Sequence, residues 1–381
     1  MTDQPHPECF FLGLGGIGSG MFVALRGDAT LGRNESRAGT ILRRRDFCKL
    51  HIVAHYIAAF TRREAVDVVA IGKVGDDDIG RKLREQMVAA GVFPRFVSTA
   101  AGAPTLFSVC LLYPDGDGGN VTTDDSASSL VSEFTVESAV RSWLASRGPE
   151  AFGPRHVAAA LPEVPLPARR RLLELARRYG WTTAAAVTTG EVAEAIACGL
   201  FALTDLLGLN RDEAAAMADM DPTADAGEIA AAAGRRLAEI NPAIRVCITA
   251  GAEGSFGWAG GKLEHTPAPD VPVINTAGAG DATLAGLIVA TMAGLPFIDP
   301  ARPARKRLAD APLTTACDFA ALLAGLAVGS ADTINFDADP AAAAALAARL
   351  GTDVTALAAV LDGNLLTLMY GWHGQTLFAC P

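Results

Sequence analysis

I-N-T-A-G-A-G-D-A-T-L-A-G, residues 274 to 286, is the stretch on which the reading of this chain turns. The run Val271 to Ile274 leads into it and reads as a strand, and Thr283 to Met292 follows as an apolar helix. Gly278, Ala279 and Gly280 then fall in the turn where that helix begins. The first N–H groups of a helix have no intrahelical partner and sit at the positive end of its dipole, so they suit a phosphate or a developing anion. The small side chains let a ligand touch that backbone. Asp281, in the first turn, is held ionised by the same dipole and can take a proton beside donors that hold negative charge. Phosphoryl transfer to an alcohol needs that pairing. The competing reading makes Asp281 an ordinary N-cap.

A second glycine run, F-L-G-L-G-G-I-G-S-G at residues 11 to 20, satisfies G-x-G-x-x-G through Gly13, Gly15 and Gly18. A dinucleotide turn requires a helix after it and a carboxylate about 20 residues on. Ser19-Gly20 and Gly27 break any helix here, and Glu35 sits in a polar N-E-S-R stretch. The run therefore reads as a strand turning into a lid.

Three further segments stand in order with the first. Ile71-Gly72-Lys73-Val74-Gly75-Asp76-Asp77-Asp78-Ile79-Gly80 precedes a helix that ends near Ala90-Gly91-Val92. Asn210-Arg211-Asp212-Glu213 has N-x-x-E spacing, which also suits a helix start capped by Asn210 with Glu213 at N3. Thr249-Ala250-Gly251-Ala252-Glu253-Gly254 gives T-x-G-x-x-G. Together, over roughly residues 10 to 336, these motifs resemble the ribokinase, or phosphofructokinase-B, family of small-molecule kinases.

The resemblance implies an α/β fold: a three-layer α/β/α sandwich with a mostly parallel central sheet and a small β-sheet lid. It implies Asp281 as the base and the amides of Ala277 to Gly280 as an anion hole. ATP would be lined by Thr249, Gly251, Gly254 and Asn335, and Asn210 and Glu213 would organise Mg2+ largely through water. A monovalent cation such as K+ is placed near the loop after Asp270 and the segment Ser330 to Asn335. The acceptor is a hydroxyl of a sugar or sugar-like metabolite, bordered by Gly15 and Gly16. A homodimer through the lid is a further implication. The alternatives are a nucleoside or pseudouridine-type kinase and a non-catalytic nucleotide-binding regulatory protein, with a dehydrogenase behind both.

The acceptor end departs from the family pattern. Asn275 stands where D-T-x-G-A-G-D has its first Asp, which is not the base. Sugar kinases of the family carry an Asp shortly after the first strand, and the matching Gly18-Ser19-Gly20 holds no carboxylate. The family's G-G-x-x-x-N becomes Asp46-Phe47-Cys48-Lys49-Leu50-His51, with His51 at the Asn position, and Ala184-Ala185-Ala186 replaces an Asp-x-Asn. What is left nearby is Arg33, Asn34, Arg37, Lys49 and His51. A cationic pocket for a carboxylate or phosphate is the expectation, with Asn34, Lys49 and His51 on the substrate. His51 and His55 lie four apart on one helix face without an evident third ligand, which favours a packed or substrate-facing pair over a metal site.

The 381 residues read as one large domain, with lid elements at about 16–45 and 99–124 and a C-terminal extension at about 340–381. A net charge of −10 repels phosphate backbones, so no nucleic-acid role is expected. Seven Cys without C-x-x-C spacing suit buried free thiols in a reducing cytoplasm, and no basic-then-apolar leader opens the chain. No stretch is long enough for a membrane span. Arg43-Arg44-Arg45, Arg169-Arg170-Arg171 and the arginines of 302–307 read as solvated surface, and Pro296 to Pro312 as a surface insertion. Alternation of β-branched runs (such as Val66 to Ile71 and Arg245 to Thr249) with amphipathic helices (such as Ala226 to Ile240) predicts a parallel sheet covered on both faces.

Overall fold

The structure is a computed structural model describing residue 7 and residues 9–27, 30–114 and 118–362. In chain order it comprises β1 (Cys9–Leu14), β2 (Gly18–Leu25), β3 (Gly39–Phe47), α1 (Lys49–Phe60), β4 (Val66–Gly75), α2 (Asp78–Ala89), β5 (Val92–Ala100), β6 (Leu106–Leu112) and β7 (Gly118–Thr122). Then follow α3 (Glu133–Arg147), β8 (Val157–Ala160), α4 (Leu166–Arg178), β9 (Thr182–Ala186), α5 (Val192–Ala197), β10 (Leu206–Asn210), α6 (Arg211–Ala218), α7 (Ala226–Ile240) and β11 (Arg245–Thr249). The remainder is β12 (Ser255–Ala259), β13 (Lys262–Thr266), α8 (Ala279–Met292), α9 (Ala316–Val328), α10 (Pro340–Leu350) and α11 (Ala358–Leu361). The Pro114-Asp115-Gly116 stretch of the lid lies partly, and the end of the C-terminal extension with Cys380 wholly, outside the described residues.

A nine-stranded sheet runs β13-β12-β11-β10-β9-β8-β1-β4-β5, parallel from β11 to β5 and antiparallel at its β12 and β13 end. Its strands are apolar on both faces because helices cover both. Along β1, Cys9 and Phe11 pack on the side of α1, α8 and α9, while Phe10, Leu12 and Leu14 pack on the side of α3 and α4. Further along, Leu207, Leu209, Val246 and Ile248 meet α6 and α7. A separate four-stranded sheet, β3-β2-β6-β7, is built from the 16–45 and 99–124 regions. The first glycine run thus joins strand to strand, β1 to β2, and no helix follows it.

Several local readings need correction. Val271 to Ile274 is not a strand: the sheet offers it no neighbour, Val273 and Ile274 are 61% and 52% exposed, and the Ile274 and Asn275 N–H groups both donate to the Val328 carbonyl. Of the apolar run Phe201 to Leu207, the first three residues form a 3-10 turn and the strand begins only at Leu206. β5, α3, β12 and β13 escaped the sequence reading. The arginine runs are only partly solvated. Arg169 is fully buried and bridges Glu191 and the Ala186 carbonyl. In the 296–312 segment, Arg302 and Arg305 converge on the buried Asp318 at 2.8 and 2.7 Å, while Phe297, Ile298 and Leu308 enter the core. That segment is pinned, not a loose surface insertion. Six described cysteines are free thiols, four of them buried. Among the described residues, no helix is long and apolar enough to cross a membrane.

Candidate active site

The parallel strands end on one side of the sheet, and the sequence motifs collect there, as expected for ligand sites in open α/β sheets. α8 starts at this end. Its N-cap, Gly278, has φ 85, and a Cβ there would lie 2.3 Å from the Thr333 carbonyl oxygen, so only glycine fits. Not all four amides of the expected anion hole are open. The Ala277 N–H donates to Asn275 Oδ1 at 3.1 Å and the Ala279 N–H to the Thr276 carbonyl at 3.2 Å. Among the described residues, no acceptor meets the N–H groups of Gly278, Gly280 and Asp281. Space is open around Gly280, where a Cβ would touch nothing within 4 Å.

Asp281 occupies the first turn of α8 with its side chain 13% exposed. Burial pushes its carboxyl above the ordinary range, and Lys49, whose Nζ lies 3.5 Å from Oδ1, pulls it back. Lys49 opens α1, the helix packed along α8. Asp281 above all, then Glu163 and Glu213, hold its ammonium above the usual lysine range against the cost of burial. Glu163 follows β8, in a left-handed conformation at φ 71, and accepts from the Lys49 N–H at 3.3 Å. Gly16 clears its path, since a Cβ there would lie 2.4 Å from Glu163. Burial pushes Glu163 and Glu213 each up to about 7, with Lys49 opposing. One ammonium therefore serves three carboxylates.

Glu163 was not found from the sequence. Its signal was available: a carboxylate just past the carboxyl end of a parallel strand, in L-P-E-V-P. Asp46, a buried carboxylate on β3 of the small sheet, was likewise passed over. It is 7% exposed and bound by Ser108 Oγ at 2.5 Å.

Asn210 and Glu213 form a reciprocal capping box at the start of α6. Asn210 Oδ1 accepts from the Glu213 N–H and Glu213 Oε2 from the Asn210 N–H, both at 2.8 Å. This leaves Asn210 Nδ2 and Glu213 Oε1 without protein partners among the described residues, a set that fits phosphate and a metal's water shell better than direct chelation. No group of three or more His, Cys, Asp or Glu among them is arranged to hold a metal directly. Thr249 pairs in register with Asn210 across β10 and β11. Arg211 reaches Glu253 at 3.0 Å, drawing the 249–254 loop, with Gly251 and Gly254, against the start of α6.

Other expected residues fall elsewhere. Asn34 is exposed, at φ 63, in the connection between β2 and β3, and Arg37 pairs with Glu35 there. His51 is fully buried against Phe47, neither ring nitrogen has a partner among the described residues, and burial pushes it down to about 3. It is a neutral core residue that no acceptor can reach. The groups of the expected cationic pocket are not gathered together: Arg33 and Arg37 lie in the connection between β2 and β3, His51 is packed in the core, and Lys49 faces three carboxylates. Asn335 donates Nδ2 to the Leu326 carbonyl and accepts from the Asp337 N–H, and these contacts shape the 330–336 loop. Of the oxygens offered to a monovalent cation there, Ser330 Oγ, the Ala331 carbonyl and the Asp332 carboxylate are already engaged by protein donors.

Comparison with known folds gives a consistent set. The ribokinase of Giardia lamblia superposes with a TM-score of 0.70 at 15% identity, over 88% of this chain and 98% of that one. The ribokinase of Cryptococcus neoformans var. grubii serotype A, in complex with ADP, gives 0.64 at 19% identity, over 89% and 99%. A nucleoside kinase of Burkholderia thailandensis, in complex with inosine, gives 0.64 at 16%, over 90% and 99%. Comparison with curated proteins gave no match. The model of the pfkB family carbohydrate kinases matches residues 53–341, leaving the atypical 46–51 segment outside. Three quarters of the chain carry that match, and the chain belongs to the pfkB carbohydrate kinase family.

Proposed function

We propose that this protein transfers the γ-phosphoryl group of ATP to a hydroxyl of a sugar or sugar-like metabolite, with Asp281 as general base. The observation that carries the reading is the start of α8: a buried carboxylate beside the unpartnered N–H groups of Gly278 and Gly280. Burial raises the basicity of Asp281 toward the level useful for taking a hydroxyl proton, and Lys49 keeps it ionised until the acceptor arrives. The two amides stand ready for negative charge on the transferring group without reorganising. Lys49 is close enough to exchange Asp281 for that group as the proton moves. Magnesium, when bound, neutralises phosphate charge; Glu213 Oε1 would hold it through water, and Asn210 Nδ2 would donate to phosphate oxygen. Thr249, Gly251 and Gly254 lie beside this pair and would line the nucleotide. The likeness to a nucleoside kinase keeps a nucleoside acceptor as the second reading.

The test is ADP release from ATP and magnesium across sugars, sugar acids, sugar phosphates and nucleosides, for wild type and Asp281→Ala. Acceptor-dependent release is expected, falling about 10²–10⁴-fold in the variant. No release with any acceptor, while ATP still raises the melting temperature, would favour the non-catalytic nucleotide-binding reading.

A further inference from the structure

We propose that the chain's own donors, the Asn275 amide and the Arg45 guanidinium, replace a monovalent cation in holding the 330–336 segment against the start of α8. Through Arg45 they also tie the lid to the amides that receive the phosphoryl group. The inference rests on the kinase reading above and concerns the same amides. Asn275 is buried and engaged at both ends: Oδ1 accepts from the Ala277 N–H at 3.1 Å, and Nδ2 donates to the Ala331 carbonyl at 3.0 Å. One side chain thus joins the turn before α8 to the segment facing it. An aspartate could keep the first bond but not the second. Its carboxylate would face the Ala331 carbonyl, oxygen against oxygen, and a cation would be needed between them. The asparagine N–H puts its own partial positive charge in that place.

The charges agree. A monovalent cation that sheds its water needs oxygens aimed at it and gains from a nearby carboxylate. Residues 271–277 hold no acid, and Asp332 is the one acid of 330–336. Asp332 is already matched: its carboxylate accepts from the Arg45 backbone N–H at 2.6 Å and from Nε at 2.8 Å, with Nη2 at 2.7 Å. The same guanidinium lies over the Phe336 ring, 4.3 Å from its centre. Ser330 Oγ is taken by the Asp332 N–H. These residues therefore do not fit a bound monovalent cation. Arg45 belongs to β3, so the charge that stands in for the ion comes from the lid. Two adjoining bonds run the same way, from the Thr333 N–H to the Arg45 carbonyl at 3.1 Å and from the Phe47 N–H to Thr333 Oγ1 at 3.0 Å. The Thr333 carbonyl in turn lies against Gly278, the N-cap of α8. One residue, Thr333, thus links β3 of the lid to the N–H groups proposed to meet the transferring group.

The experiment compares potassium chloride with tetramethylammonium chloride at equal ionic strength, the second cation being too large for such a site. Wild type, Asn275→Asp and Arg45→Met are each measured for melting temperature and for ATP-dependent phosphorylation of D-ribose, D-fructose and inosine. Wild type should be indifferent to the salt, with kcat/KM within about twofold and the melting temperature within about a degree. Asn275→Asp should lose roughly 10–100-fold of kcat/KM in tetramethylammonium, the worth of one buried acceptor left unmet. Potassium should restore most of that loss and raise the variant's melting temperature. Arg45→Met keeps a side chain over Phe336 but uncovers Asp332, and potassium should restore part of its lost kcat. If Asn275→Asp folds in neither salt, Arg45→Met decides by the same comparison. A wild type that gains about tenfold in rate from potassium, or is clearly stabilised by it, would overturn the inference while the kinase reading stands. So would variants that lose nothing, or whose losses potassium does not repair. A wild type that phosphorylates no probe in either salt would remove the kinase reading, and the melting temperatures would then decide the clamp alone. An indifferent wild type beside a potassium-stabilised Asn275→Asp supports it; the same response from both contradicts it.

Discussion

Lys49 Nζ lies 3.5 Å from Asp281 Oδ1, and the same ammonium pulls down the carboxyl groups of Glu163 and Glu213. An opposite charge at this distance favours the ionised carboxylate, against burial that favours the neutral acid. Removing the ammonium must therefore raise the base further. For Lys49→Met the acidic limb of the kcat/KM pH profile should move to higher pH, with kcat lowered about tenfold to 100-fold. An unmoved limb would show that Lys49 does not act on the base. Asp281 and its glycines were legible in the sequence because a helix start fixes their geometry locally. Glu163 was not, since it gains meaning only where the end of β8 meets the start of α1. His51 was misread for a related reason. An isolated amphipathic helix has a wet face, but α1 packs against both the sheet and the neighbouring α8 and buries His51 and His55 together with its apolar stripe.

At the scale of the element, the two glycines at the α8 terminus have different jobs. Gly278 is required by the fold, through its left-handed φ and the Thr333 carbonyl that a Cβ would strike. Gly280 is not, because the space beside it is open. Gly278→Ala should cost about 1–3 kcal/mol of stability, from the conformation alone. Gly280→Ala should leave the melting temperature within a degree or two, in keeping with a free-energy change near zero, while lowering kcat by placing a methyl where the transferring group sits. Thermal unfolding and steady-state kinetics on both variants check this, and equal destabilisation of the two would contradict it. The 330–336 segment supplies the Thr333 carbonyl that bars a Cβ at Gly278. It also binds the root of the lid, through Arg45 to Asp332 at 2.7 Å and the Phe47 N–H to Thr333 Oγ1 at 3.0 Å. Element bounds were legible where periodicity and caps agree, as in α7, β11 and α10. Val271 to Ile274 failed because β propensity needs a neighbouring strand to act on.

At the scale of the molecule, the lid presents an apolar outer face. Met21, Val23, Ile41, Val109, Leu111 and Val121 share it by strand register, with Ile41 and Val121 66% and 65% exposed. A second copy of the chain pairing through this face is the proposed homodimer, and such a face on a net −10 chain needs cover. Light scattering should then show a dimer that Ile41→Glu together with Val121→Glu converts to monomer; a monomeric wild type would end the proposal. The layered fold itself was legible from alternating strands and helices, whereas the covered arginines were not, because a charge run does not reveal which of its members meets a buried carboxylate such as Asp318. The central claim concerns chemistry at one carboxylate, and one measurement tests it most directly. Acceptor, ATP and magnesium are incubated with wild type and with Asp281→Asn, and the phosphorylated acceptor and ADP are quantified together. One phosphorylated hydroxyl per ADP in wild type, lost in a variant that still binds ATP, is the predicted result. Equal product from both proteins, or ADP without a phosphorylated acceptor, would contradict it.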